Sequence, residues 1–352
     1  MQIWPDPLRE LVSAIFLHAG SAKQEADDIA EHLVKANLVG HDSHGVIRTP
    51  IYIQWVREGK VLANRQLNIL FENQSMAVTD GQLGYGQSIG RQLVELGVRK
   101  CRDQGVAVTS VRNSGHLGRI GHWAEMAADR GCISLHFVNT SGLGMFVVPA
   151  GGTDRRLSVN PLTIGVPVEG RHPVVLDIAA AAVAEGKLKV ARNRGDSVPD
   201  GWILDAGGNP TNDPNDFYGP PFGAILPIAG HKGYGLAFMI ELLAGALTGG
   251  GCSSEGKTQL EQGMLSIYLD PEKLNSNDSF QNEMLRYIDF VKSSRPSDEA
   301  RPVLVPGDPE VQTMRQRLEQ GIEVDEKTWN QIVRTAREND VDAALIESAC
   351  PR

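Results

Sequence analysis

Val106-Ala-Val-Thr-Ser-Val111 leads into Asn113-Ser114-Gly115-His116-Leu117-Gly118-Arg119-Ile120-Gly121-His122, after which a helical pattern begins near His122. A β-branched run, a glycine-rich turn and a helix start form the layout of a phosphate cradle, because a helix N-terminus offers unpaired N–H groups and a positive dipole end. The glycine spacing is G-x-x-G-x-x-G, not the Rossmann fingerprint. Gly84, Gly86 and Gly90 miss that fingerprint by one residue. The expectation is an α/β chain whose anion-binding turn does not belong to a Rossmann unit.

Outward from this turn, further short β-rich runs lie at 75–80, 132–138, 162–168, 173–177 and 264–269, with the first run covering 105–111. Helical periodicity at 87–104, 121–130 and 234–247 separates some of them, while others follow one another through Gly/Pro turns. That alternation predicts a mixed sheet rather than a parallel one. Segment 192–223, dense in Gly and Pro, reads as a long surface loop or lid. Both chain ends are helical. Leu8, Leu11, Val12, Ile15 and Phe16 recur at helical spacing up to Gly20, and Ser21 with Gln24 makes a capping box for a second helix ending at Gly40. Near the other end, Asp308-Pro309 opens a helix to Gly321 and Asp325 caps another through Trp329 and Ile332.

With 352 residues, 41% of them hydrophobic, the chain can bury a large core in one or two domains. A formal net charge of −9 argues against nucleic acid or an anionic membrane as partner. Cys101, Cys132, Cys252 and Cys350 show no short spacing and read as reduced thiols. The first ten residues carry Pro5, Asp6 and Pro7 where an export signal would be basic and then apolar, so a cytoplasmic location is expected. Glu241 interrupts the longest apolar stretch, which therefore reads as a buried helix and not a membrane span.

The most unusual polar stretch is Gly40-His41-Asp42-Ser43-His44-Gly45, followed by Arg48, Thr49, Pro50 and Tyr52. With Thr49 as N-cap and Pro50 at N1, Arg48 would stand beside a helix N-terminus and make an anion site that a carboxylate fits bidentately. His44, four residues earlier, could exchange a proton with a group on the adjacent carbon. The alternative is a polar turn between helices. Downstream, the run ending in Asp177 offers an acid to a ribose diol, while Lys187 and Lys232 sit beside glycines that permit close approach to a phosphate or carboxylate. Gly86-Gln87-Ser88-Ile89-Gly90 matches the nucleophile elbow of a serine hydrolase, with His231 downstream as a base, but a loop precedes it where a strand is required. The histidines and Asp42 have no metal-ligand spacing, so no metal is expected.

Seven motifs then fall in one order: 40–45, Ser114 to Gly121, Asn160-Pro161, Asp177 with Gly186-Lys187, His231-Lys232-Gly-Tyr-Gly-Leu236, Leu247-Thr-Gly249 and Val305-Pro306-Gly307-Asp308. In these the chain resembles the non-Rossmann malate/L-lactate dehydrogenase family over nearly its whole length, and most of all its bacterial hydroxycarboxylate dehydrogenase branch. The resemblance implies a homodimer that uses NAD, or alternatively NADP, to interconvert a 2-hydroxycarboxylate and its 2-keto acid. It implies a mixed-sheet nicotinamide-binding domain at 73–299 and a helix-rich domain built from 1–72 and 300–352. It also implies His44 as general acid/base, with Ser43 and Lys187 as further catalytic groups. Arg48 would clamp the substrate carboxylate, with Tyr52 and His116 lining the pocket. By the same resemblance the cofactor would meet His44, Gly118, Arg119, Ile120, Val174, Val175, Leu176, Asp177, Ile178, Lys232, Asp270, Pro306, Gly307 and Asp308. The family usually carries Glu where Asp308 stands and, in its imino-acid reductases, Asp where Lys187 stands. Asp177 would repel a 2′-phosphate, which favours NAD.

Overall fold

The computed structural model describes residues 1–257, 259–275 and 277–350. The β-rich runs pair into one seven-stranded sheet: β1 (Asn68–Glu72), β2 (Met76–Asp80), β3 (Val106–Ser114), β4 (Ile133–Ser141), β5 (Pro161–Val166), β6 (Val174–Ala179) and β7 (Glu261–Leu269). Their order is β1-β2-β3-β7-β4-β5-β6, with β2–β3 parallel and every other pair antiparallel. A mixed sheet is therefore observed. β1 is a strand that the periodicity does not reveal. Its five residues are all exposed and a register shift falls between Ile69 and Phe71, so no alternation marks it.

Helix α4 (Gly86–Gln104) joins β2 to β3, and α5 (Gly121–Ala128) joins β3 to β4. Both pack on the sheet over a core that includes Ile89, Leu93, Trp123, Val138, Met264 and Tyr268. The α4 glycines serve packing and not a nucleotide: a Cβ on Gly90 would lie 2.6 Å from the Trp123 ring, and one on Gly97 2.2 Å from Tyr268.

A second cluster unites the start of the chain with its end. Helices α1 (Pro5–His18), α2 (Lys23–Leu38) and α3 (Thr49–Arg57) share apolar contacts with Ile322, Trp329, Ile332 and Ile346. Residues 2 and 3 pair with 323 and 322 as a two-stranded ribbon. The capping box at Ser21 does not form. The helix begins at Lys23, and Asn64 caps it instead, its Oδ1 accepting the Ala22 N–H at 2.6 Å. Asp325 caps its helix as expected, taking the Thr328 N–H at 2.9 Å.

Three further elements differ from expectation. The apolar stretch is α-helical only over His231–Ile240 and widens to a π-helix at Glu241–Ala246, where the buried Glu241 carboxylate accepts from Asn139, Asn160 and Ser253. Segment 192–223 is not one long loop. It ends the helix Glu185–Arg194 and contributes two short strands of a three-stranded sheet and the helix Pro214–Tyr218. Arg155 pins it, bonding the Phe217 and Gly223 carbonyls and lying 4.4 Å from the Phe217 ring centre. A helix at Asn277–Lys292 also has no counterpart in the sequence reading. Among the described residues no helix is long and apolar enough to cross a membrane.

Candidate active site

The segment after α2 folds as two tight 3₁₀ turns, Asp42–His44 and Val46–Arg48, that run straight into α3. Gly45 lies against Asn37, whose Oδ1 takes the Val46 N–H at 2.8 Å; a Cβ at Gly45 would sit 2.1 Å from that oxygen. Thr49 is already helical (φ −53°, ψ −51°) and its buried hydroxyl has no partner, so it does not cap α3. The expected N-cap is therefore displaced by one residue: Arg48 itself stands at that position, with no side chain capping α3.

That guanidinium is well placed. Arg48 Nε donates to the Ser43 carbonyl at 2.6 Å, and its two Nη groups have no protein partner among the described residues. Ser43 Oγ lies 3.0 Å from His44 Nδ1, which leaves the Nε2 edge of His44 for the cleft. The rings of His44 and His116 stack at 5.6 Å between centres, and His116 Nδ1 lies 2.5 Å from the Tyr52 hydroxyl. Burial, reinforced by Arg48, pushes the His44 imidazole down to about 3, and burial pushes the Tyr52 phenol up to about 12. His44, Ser43, Arg48, Tyr52 and His116 are thus brought together, with a neutral imidazole beside a free guanidinium.

The glycine-rich turn is not an open phosphate cradle. Three of its N–H groups are already taken: Leu117 by Gln262 Oε1 (2.6 Å), Arg119 by His32 Nε2 (2.9 Å) and Gly121 by Asp177 Oδ2 (2.8 Å). The anion at the α5 N-terminus is the protein's own Asp177. Its other oxygen accepts from Thr163 at 2.7 Å. With both oxygens engaged internally, Asp177 holds α5 to the sheet rather than standing open to a ribose diol, and the argument from it for NAD over NADP falls away.

One unmet group here is Arg119. Its side chain is 2% exposed and gives Nη2 to Glu125 at 2.7 Å, yet Nε and Nη1 have no hydrogen-bond partner. Its charge is already matched by Glu125 and by Asp177, whose Oδ2 lies 3.9 Å from Nε; Nη1 is the donor left over, and it fits an anionic group such as a dinucleotide carries. The chain segments that the resemblance assigns to cofactor also touch each other. Val175 N–H donates to Pro306 O at 3.2 Å, and Gly307 (φ +97°) lies so near β6 that a Cβ would be 3.2 Å from Pro173 O. Gly118 and Ile120 flank Arg119 in the same turn. These residues fit a bound nicotinamide dinucleotide.

Other expected residues are placed differently. Asp270 lies at the far end of β7 from Gln262, capping Pro271–Leu274 through the Glu272 N–H, and this chain does not bring it to the cleft. Asp308 is engaged by the Val305 N–H and by Lys292 at 2.7 Å. Lys187 and Lys232 are exposed in the first turns of their helices, without a protein partner among the described residues, and Gly186 lies against Ser43. Ser88 is no nucleophile: it is buried inside α4, its Oγ bonds only Gln92 among the described residues, and no strand runs directly into it. The residue of that pentapeptide facing the cleft is Gln87, whose Nε2 reaches the Tyr52 hydroxyl and the His116 carbonyl. Neither Gln87 nor His32 carries a local signal, since their partners lie 29 to 87 residues away.

The sequence profile described as malate/L-lactate dehydrogenase matches residues 3–333. The chain is 38% identical over 349 residues to hydroxycarboxylate dehydrogenase B of Escherichia coli O157:H7, covering 97% of this chain and 96% of that one. It is 35% identical over 353 residues to the L-sulfolactate dehydrogenase of Methanothermobacter thermautotrophicus, covering 99% and 100%. Among solved structures, sulfolactate dehydrogenase from Methanocaldococcus jannaschii superposes with a TM-score of 0.87 at 30% identity, covering 99% of each chain.

Proposed function

The chain belongs to the malate/L-lactate dehydrogenase family, and from that premise we propose that it interconverts a 2-hydroxycarboxylate and its 2-keto acid with His44 as proton carrier and Arg48 as carboxylate clamp. The observation that carries this reading is the unpaired pair of Nη donors on Arg48 beside the Nε2 edge of His44. Arg48 takes the substrate carboxylate bidentately, which places C2 and its oxygen over the imidazole. His44 accepts the hydroxyl proton in oxidation and returns it to the keto oxygen in reduction, with Ser43 Oγ on Nδ1 fixing the ring. Lys187 adds positive charge at the rim. A nicotinamide dinucleotide, when bound, supplies or accepts the hydride. Arg119, with Gly118 and Ile120, would take its anionic groups; the β6 residues Val174, Val175, Leu176 and Ile178, with Pro306, Gly307 and Lys232, would border it.

In this reading the sheet domain holds the cofactor; it begins with β1 at 68 and not at 73 and runs to 299, so that 1–67 with 300–352 form the helix-rich part. The protein acts as a homodimer. Phe238, Met239, Leu242 and Leu247 leave one helix face exposed, and Gly235 on that face has open space where a Cβ would be. Such a patch suits a second copy.

The test is oxidation of NADH and of NADPH, followed at 340 nm, against pyruvate, oxaloacetate, 2-oxoglutarate and hydroxyphenylpyruvate. Turnover with one pair is expected, and Ser88→Ala should leave it unchanged. Absence of any dinucleotide binding by fluorescence would end the dehydrogenase reading.

A further inference from the structure

Beneath the cleft lies a buried amide that no step above uses. Gln87 is 1% exposed, and its Nε2 lies 3.1 Å from the His116 carbonyl oxygen and 3.2 Å from the Tyr52 hydroxyl. A carbonyl oxygen only accepts, so the nitrogen of Gln87 and not its oxygen must face it. The amide has two hydrogens, and the second points to Tyr52. Tyr52 therefore receives a hydrogen bond from Gln87.

Tyr52 has one proton of its own to place. Its ring is 2% exposed, its phenol stays protonated, and the only other polar atom bonded to its hydroxyl among the described residues is His116 Nδ1, at 2.5 Å. The phenolic proton goes to that nitrogen, because it is the one acceptor bonded to the buried hydroxyl among the described residues and an unmet buried hydroxyl is costly. His116 Nδ1 is then an acceptor. Burial keeps the His116 ring neutral, so its single proton resides on Nε2, which has no protein partner among the described residues, in a half-buried side chain.

We propose that Gln87 is a positioning residue: by donating to both Tyr52 and the His116 carbonyl it sets the direction of the Tyr52–His116 hydrogen bond, so that His116 presents Nε2–H to the cleft it shares with His44. A fixed N–H donor there fits an oxygen of the bound acid, either the C2 oxygen or a carboxylate oxygen. Only this last step rests on the dehydrogenase reading; the tautomer does not.

The experiment records the imidazole nitrogens of His116 in full-length protein labelled with ¹⁵N-histidine, with His116→Asn used for assignment. Native protein should show one tautomer, protonated at Nε2. In Gln87→Met the Tyr52 hydroxyl can either donate or accept, and His116 should become a mixture; Tyr52→Phe should give the same result. With a 2-keto acid substrate, Gln87→Met should lose about 10-fold in kcat with unchanged dinucleotide affinity, and the double variant should be no worse than Tyr52→Phe alone. An Nδ1-protonated His116 in native protein, or a tautomer unmoved in both single variants, overturns the assignment. If the tautomers behave as stated but no keto acid turns over, Gln87 keeps its role and the dehydrogenase reading fails.

Discussion

Arg317 grips Asp42 with both ends of its guanidinium, Nη1 to Oδ1 at 2.6 Å and Nη2 to Oδ2 at 3.0 Å. This fork ties the helix Asp308–Gln320 to the 3₁₀ turn that carries Ser43 and His44. A second contact, His41 Nε2 to Glu310 Oε1 at 3.3 Å, joins the same two elements. The helix that begins at Asp308, directly after Pro306-Gly307, thereby braces the turn that holds His44.

Replacing this brace should affect geometry more than stability. Asp42 is half-exposed, so Arg317→Met should cost no more than about 1 kcal/mol in urea unfolding. The turn would loosen, and kcat/KM for the keto acid should fall about 10-fold. Arg317→Lys restores charge without the fork and should recover only part of that loss. Full activity in Arg317→Met would show that the turn needs no brace.

Arg48 should separate substrate from cofactor binding. Loss of a bidentate carboxylate contact in Arg48→Met is expected to raise KM for the keto acid by about 100-fold. Dinucleotide affinity, measured by fluorescence quenching, should stay within about twofold, since among the described residues the guanidinium bonds only Ser43 and none of the residues proposed to border the cofactor. Equal weakening of both ligands would place the arginine on the cofactor instead.

The depressed His44 sets opposite pH behaviour for the two directions. With its imidazole held down to about 3, first by burial and then by Arg48, the ring is neutral across pH 5–8. Oxidation needs that neutral base, so His44 imposes no loss as pH falls from 8 to 5. Reduction needs the protonated ring, whose fraction falls tenfold per unit above its pKa, so kcat/KM for the keto acid should decline as pH rises. His44→Ala should abolish both directions while dinucleotide binding persists. Parallel profiles in the two directions would remove His44 from proton transfer.

His136 predicts acid sensitivity of the fold. It is wholly buried between Ser266 (2.8 Å) and Ser134 (3.0 Å), and burial pushes it down to about 3. Above pH 6.5 the ring is neutral both folded and unfolded, and stability is indifferent to it. Below 6.5 the unfolded chain takes up a proton that the folded chain refuses, so stability is lost at about 1.4 kcal/mol per pH unit down toward pH 3. Urea unfolding at pH 7.0 and 5.5 should show a smaller drop for His136→Gln than for the native chain, by about one proton's worth. Equal slopes would mean that this histidine titrates normally.

How much of this was legible beforehand follows from the range of the forces involved. Helical periodicity from Leu8 to Phe16, the N-cap at Asp325 and the β-branched runs act within a few residues, so they are visible as local patterns. The cluster of Ser43, His44 and Arg48 is local too, since its members fall within two turns of one segment. Other decisions were made by contacts that leave no local trace. The turn 115–121 resembles a phosphate cradle in sequence, yet Gln262 takes its Leu117 N–H from 145 residues away and Asp177 takes its Gly121 N–H from 56 residues away. Sequence alone determined the helices at both chain ends, six of the seven strands of the sheet and the polar segment of Ser43, His44 and Arg48, whereas β1 and the helix Asn277–Lys292 emerged only in the packed fold. Only the packed fold decided which of those polar groups are already satisfied, because a hydrogen bond depends on distance in space and not on separation along the chain.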